Sequence, residues 1–154
     1  MTTHPDPALQ HPEHELFEAA REMQTRAHVP YSRFPVGAAL RTVSGRVHAG
    51  CNVENAAYPQ GWCAEASAIA AMVSSPFDEP GDRQIDALVT VCDGEQLSTC
   101  CGGCRQKIRE FAGPSTRVHA AGPDGIRRSY SMDELLPDSF GPEHLDAHTA
   151  DQQS

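Results

Sequence analysis

The sequence is short of basic residues, aromatics and long apolar runs, and each shortage excludes something. Twelve Lys and Arg stand against 21 Asp and Glu in 154 residues, for a formal charge of -9. Binding along a nucleic-acid backbone depends on cationic side chains displacing counterions, so an extended polynucleotide contact is disfavoured. A single tryptophan, Trp62, and an aromatic share of 6% do not make the interleaved basic and aromatic groove that single strands use. No apolar run approaches the ~20 residues of a membrane span. The polar stretch from Met1 to Pro12 lacks the charged and apolar regions of a secretory signal. No internal repeat or coiled-coil heptad is found. These absences predict a cytoplasmic protein whose partner is a small molecule, with no nucleic acid and no membrane.

What is present suits one well-punctuated domain, with glycine and proline twelve times each. Residues 1–12 read as a flexible tail, 13–141 as a single domain and 142–154 as a loose C-terminal tail. His4, His11 and His14 read as solvated tail residues rather than metal ligands. Apolar spacing predicts a helix from Pro12 to Ala27. Strands are predicted at 36–42 and 47–51, joined by a turn at Ser44-Gly45, and a buried strand at 85–92. Helices are expected at 63–73 and 102–111, the second stopped by Gly113-Pro114. Two short strands follow at 117–121 and 126–130. Ser131 then caps a last helical turn, with Glu134 as its capping-box partner. The order predicts an α/β fold with a mixed sheet covered by helices.

Chemistry concentrates in Cys63-Ala64-Glu65 and Cys101-Gly102-Gly103-Cys104. In a cytosolic chain, cysteines so placed are metal ligands, redox thiols or small core residues rather than a disulfide framework. The outer residues of a C-x-x-C share one face at a helix start, where N–H groups and the dipole favour thiolates. Two such helix starts meeting would offer three sulfur ligands to zinc and leave the fourth tetrahedral position to water. Glu65 beside that position could move protons. This requires Cys63 at the very start of its helix, because residues two apart otherwise point in different directions. A redox pair and a closed structural zinc site, with Cys51, Cys92 or Cys100 as fourth ligand, remain open on these residues alone.

Longer stretches are more specific. Pro30-Tyr31-Ser32-Arg33-Phe34, Val36 to Leu40, and Gly50-Cys51-Asn52-Val53-Glu54-Asn55-Ala56-Ala57-Tyr58 are followed by the two cysteine motifs and by Leu135 to Phe140. In that order, over about residues 13 to 145, the chain resembles the small homotetrameric cytidine deaminases. The resemblance implies a three-layer α-β-α fold with a mixed five-stranded sheet and one Zn2+ per subunit. It implies hydrolysis of cytidine and 2′-deoxycytidine to uridine and 2′-deoxyuridine with release of ammonia, in pyrimidine salvage. Cys63, Cys101 and Cys104 would ligate zinc, and Glu65 would shuttle the proton to N3 of the base and then to the departing amine. Asn52 and Glu54 would hold the ribose hydroxyls. Ala64 would offer its N–H to the base, the Thr99 carbonyl would sit near the leaving ammonia, and Phe34 would pack on the base. Phe140 would reach into a neighbouring subunit's site.

The chain departs from the family pattern twice. Cys100 stands where proline usually precedes the first cysteine of the C-x-x-C. Ala66 stands where many three-thiolate members carry arginine. Since three thiolates outweigh the zinc charge, helix N–H groups or an arginine such as Arg33 or Arg105 are expected to offset them. A modified cytosine nucleoside as substrate, a polynucleotide editor and a non-catalytic zinc module are the competing readings. The acidic charge opposes the second of these, and a closed site would give Glu65, Asn52 and Glu54 no role.

Overall fold

Small residues decide how closely helices and strands approach in this chain. A side chain at Gly37 would put its Cβ 1.9 Å from the Ala20 carbonyl oxygen, and one at Gly50 would meet the Ser67 Cβ at 2.5 Å. Helix and strand backbones are therefore nearly in contact on both faces of one sheet.

The computed structural model describes residues 12–145. Its strands are β1 (Val36–Thr42), β2 (Val47–Cys51), β3 (Ile85–Cys92), β4 (Ala112–Gly122) and β5 (Gly125–Ser131). Its α-helices are α1 (His14–Gln24), α2 (Ala64–Ser74), α3 (Gly102–Phe111) and α4 (Met132–Leu135). The strands run in the order β2-β1-β3-β4-β5. β3 and β4 are parallel and every other neighbouring pair is antiparallel. The mixed five-stranded sheet expected above is therefore present.

Alternation along the strands splits the core in two. Ala39, Ala87, Val89 and Val91 face α1, where they bury Leu16, Phe17 and Ala20. Ala38, Leu40, Leu88 and Val118 face the other way, onto Ala64, Ala68 and Met72 of α2, Cys104 and Ile108 of α3, and Met132 and Leu135 of α4. One helix on one face and three on the other make the α-β-α layers.

β4 is longer than predicted. Gly113-Pro114 ends the helix but not the extended chain, so the strand begins at Ala112, directly after α3. The parallel β3–β4 connection consequently has no linker on its β4 side. All of its slack lies between Cys92 and Cys101, on the side of the cysteine motif. The α1 helix is shorter than the predicted 12–27, because residues 12–13 and 25–26 form turns. His14 opens α1 half-buried, with its ring 6.4 Å from that of Phe17, and so is not a tail residue. His4 and His11 lie outside the described residues. Ser131 and Glu134 form the predicted capping box. Among the described residues, no helix is long and apolar enough to cross a membrane.

Candidate metal centre and active site

Cys63 is the N-cap of α2 and Cys101 the N-cap of α3, both with extended backbone, and Cys104 lies buried in the first turn of α3. The helix starts converge. The Sγ atoms of Cys63, Cys101 and Cys104 all lie within 4.8 Å of one another, with Cys63 and Cys101 3.8 Å apart. At Zn–S distances of ~2.3 Å, sulfurs of one tetrahedral site stand roughly 3.8 Å apart, so this cluster has the span of a zinc site.

Electrostatics within the cluster are uneven. Burial opposes ionisation of Cys101, but the Cys104 backbone N–H and the neighbouring thiols as donors bring it below the ordinary thiol value. Burial, and then the charge of Cys101, push Cys63 up. Burial, and then Glu65, push Cys104 up as well. Cys100 is buried in the core, and burial followed by the charge of Glu65 pushes its thiol up to about 12. It therefore stays protonated and packs as an apolar residue. Of the three clustered thiols, Cys101 is the one whose surroundings favour ionisation.

Glu65, 4% exposed, lies in the first turn of α2 two residues after the cap, the placement that the Cys-x-Glu spacing requires. The Thr90 hydroxyl donates to Glu65 Oε1 at 3.2 Å. Both line a cavity of about 190 Å³ together with Phe34, Asn52, Cys63, Ala64, Thr99 and Cys101. Ala64 begins α2, and an N–H in a first turn has no acceptor within its own helix. It is therefore a donor available to a ligand.

Asn52 holds the cavity rim. Its Oδ1 accepts from the Val36 N–H at 2.9 Å and its Nδ2 donates to the Phe34 carbonyl at 3.0 Å. Thr99 is tied from behind, because Arg105 donates to Thr99 Oγ1, to the Cys100 carbonyl and to the Leu135 carbonyl. Arg105 thus splints the loop that carries Cys101. Arg33 is exposed, at φ +56°, and is not among the residues that line the cavity.

Two expected site residues stand apart from this cavity in the single chain. Glu54 lines a separate depression of about 400 Å³ with Tyr31, Ser32, Asn55, Tyr58 and Gly61. Its carboxylate accepts from the Tyr31 and Ser32 N–H groups. The Ser32 hydroxyl first, and those N–H groups with it, hold Glu54 below the usual carboxylate range. Phe140 is 57% exposed and stacks on His144 with ring centroids 5.2 Å apart. Sequence reasoning missed Thr90, Cys92 and Ser98 in the cavity wall. The one signal for Thr90 was a hydroxyl within the apolar run of β3.

Comparison with known proteins decides the family. Residues 10–120 match the model of the cytidine and deoxycytidylate deaminase zinc-binding region. The chain belongs to this deaminase family. A cytidine deaminase of Sporosarcina psychrophila is 39% identical over 137 residues, which cover 89% of this chain and 96% of the relative. One from Mycobacterium tuberculosis is 37% identical over 126 residues, covering 82% of this chain and 87% of the relative. The crystal structure of a cytidine deaminase from Burkholderia pseudomallei superposes with a TM-score of 0.76 at 37% identity, covering 84% of this chain and 100% of that one. The deaminase fold expected from the sequence is the fold observed, and the three-thiol cluster fits the single zinc ion of the family's zinc-binding region.

Proposed function

We propose that the chain catalyses hydrolytic deamination of cytidine and 2′-deoxycytidine, giving uridine or 2′-deoxyuridine and ammonia, as an enzyme of pyrimidine salvage in the cytoplasm. The observation that carries this reading is a buried carboxylate, Glu65, in a small cavity beside the three-thiol cluster. Cys63, Cys101 and Cys104 would hold zinc. When bound, zinc supplies the Lewis acid that makes water a nucleophile near neutral pH.

The protein does the rest with fixed groups. Glu65 takes a proton from the attacking water and delivers it to N3 of the base. The water oxygen adds to C4, which becomes tetrahedral. Glu65 then carries the second proton to the exocyclic amine. The C4–N bond breaks, ammonia leaves, and the carbonyl of the uracil ring forms. The Ala64 N–H binds the base, Phe34 covers its face, and the Thr99 carbonyl accepts from the departing amine. Asn52 and Glu54 bind the ribose. The Glu54 depression serves the sugar only when the two cavities are bridged by ligand or by a second subunit.

Residues 13–141 form the catalytic unit, and the working enzyme is a homotetramer in which Phe140 completes a neighbour's site. The exposed Phe140, Tyr58 and Trp62 favour an assembly that covers them.

Ammonia release and the loss of cytidine absorbance by purified protein test the reaction, with Glu65→Gln beside the wild type. Wild type turns over both nucleosides, and Glu65→Gln keeps its zinc while losing at least ~100-fold in kcat. A zinc-loaded wild type inert to both would overturn the assignment.

A further inference from the structure

Thr90 has no part in the chemistry assigned so far, yet its surroundings are demanding. It lies on β3, the central strand of the sheet, paired with Ala38 on one side and Ala120 on the other, and is 5% exposed. Along the strand its neighbours are Leu88, Val89, Val91 and Cys92, all buried. Valine has the same shape and would fill this position without a polar atom. A buried hydroxyl is costly to leave unbonded, so its hydrogen bond is the reason it can be there at all. That bond runs 25 residues back along the chain, to Glu65 Oε1.

The position of Glu65 needs such a partner. Its Cα is fixed by the first turn of α2, but the carboxylate ends a stem with three torsions and sits in the cavity wall. A proton carrier works within about 2.6–3.2 Å of the atom it serves, which unrestrained torsions would not maintain. We infer that Thr90 is a positioning residue for Glu65: its hydroxyl occupies Oε1, locks the carboxylate against the central strand, and leaves Oε2 for proton transfer.

The strand is well suited to the task. β3 is hydrogen-bonded on both edges, so a hydroxyl on it moves less than one on the loop 93–101. The device also links the layers, because the catalytic carboxylate of the helix takes its orientation from the sheet. This inference rests on the deamination reading for its kinetic consequence, although the hydrogen bond stands without it.

The test compares zinc-loaded Thr90→Val and Thr90→Ser. Losing a hydrogen bond to a charged group predicts a fall in kcat of about 10- to 100-fold in Thr90→Val. KM stays within about twofold of wild type, since Thr90 orients a proton carrier rather than the substrate. Thr90→Ser retains the hydroxyl and recovers most of the rate. Wild-type kcat in Thr90→Val, or an equal loss in both variants, would overturn the proposal.

A second measurement needs no turnover. Thr90→Val lowers Tm in the wild-type background, where it breaks the bond. It raises Tm in the Glu65→Ala background, where the hydroxyl has already lost its acceptor. The same Tm change in both backgrounds means that the residues are uncoupled and refutes the positioning role. A wild type inert to cytidine would refute the deamination reading alone, leaving this thermal cycle to decide the Thr90 interaction.

Discussion

Cys63 and Cys101 cap two different helices, and their sulfurs stand 3.8 Å apart. The sulfurs are 38 residues apart in sequence, so only the packing of α2 beside α3 brings them together. Replacing Cys63 with alanine leaves Cys101 and Cys104 on one helix, a two-ligand remnant. Zinc content after dialysis against a chelator is expected to fall from one per chain to near zero. Activity falls with it, by more than the ~10–100-fold of a lost outer-shell contact. Full zinc occupancy in Cys63→Ala would remove this cysteine from the ligand set.

The unequal thiols set how metal loading depends on pH. Cys101 lies below the ordinary thiol value, whereas Cys63 and Cys104 lie above it. Near neutral pH the metal-free cluster therefore holds protons on Cys63 and Cys104, and binding must expel them. Affinity rises with pH, by at least roughly 100-fold per unit for the two protons that Cys63 and Cys104 release. Competition with a chromophoric chelator between pH 6 and 8 measures the slope. A slope of one proton or less would show that a second thiol is already ionised.

Gly50 transmits the sheet's position to α2, the helix that carries Glu65. A Cβ there would lie 2.5 Å from the Ser67 Cβ and 2.7 Å from the Ala68 N, and the second of these is backbone that cannot rotate aside. Gly50→Ala must push α2 away from β2, and Glu65 moves with that helix. We expect a stability loss of about 1–3 kcal/mol, typical of overpacking, with kcat reduced more than that loss explains. Gly102→Ala is the control, since nothing lies within 4 Å of its added methyl. Denaturant unfolding and kinetics on both variants separate a packing defect from a general intolerance at these glycines.

What could be read from the chain follows from the range of the interactions involved. β1, β2, β3 and α3 have their predicted bounds because periodicity, a Ser-Gly turn and a Gly-Pro stop are local signals. The start of β4 was missed because Pro114 ends a helix without ending extended chain. The placement of Cys63, Glu65, Cys101 and Cys104 at two helix starts was legible because the spacing within each helix start is itself local. Asn52 was expected at the ribose hydroxyls, and nothing local announced that it also braces Phe34 and Val36 sixteen and more residues away. The bond between Thr90 and Glu65 joins a strand to a helix of another layer, and no spacing rule announces it. Arg105 was one of the groups offered to offset thiolate charge, and no spacing rule announced that all three of its nitrogens splint the 99–101 loop and Leu135.

Asp82 gives the fold an acid limit at the hairpin end of the sheet. Ser44 donates to its Oδ1 at 2.6 Å, the Asp78 and Glu79 N–H groups donate to its Oδ2 at 2.9 Å each, and Arg46 lies 3.2 Å away. The Ser44 hydroxyl first, then the Asp78 N–H, bring its pKa from 3.8 to about 2 despite the opposing effect of burial. A carboxylate with a depressed folded pKa stabilises the protein fully above its unfolded value. That stabilisation is lost as pH falls through the folded one. The Tm difference between wild type and Asp82→Asn should therefore be constant from pH 7 to about 5 and shrink as pH drops below about 4. Thermal melts at pH 7, 5 and 3 check this, and a gap that widens at pH 3 would contradict the assigned cause.

Phe140 is the residue whose position is hardest to explain within one chain. It is 57% exposed, its ring stacks on the half-exposed His144, and its carbonyl accepts from Gln106. A phenyl ring gains little from such a site, so a partner surface is the economical explanation. If the ring completes a neighbour's cavity, Phe140→Ala should raise KM about tenfold or more with little change in Tm, because most of the residue is exposed in its own subunit. Light scattering of the wild type is expected to give a particle of four chains. Mixing tells trans from cis completion. Glu65→Gln subunits lack the Glu65 carboxylate but present Phe140, whereas Phe140→Ala subunits keep Glu65. Mixed assemblies should then contain sites with Glu65 from one chain and Phe140 from another, and their activity at low cytidine should exceed the sum of the two variants alone. Activity equal to that sum, in assemblies shown to be mixed, would mean that Phe140 does not complete a neighbour's site.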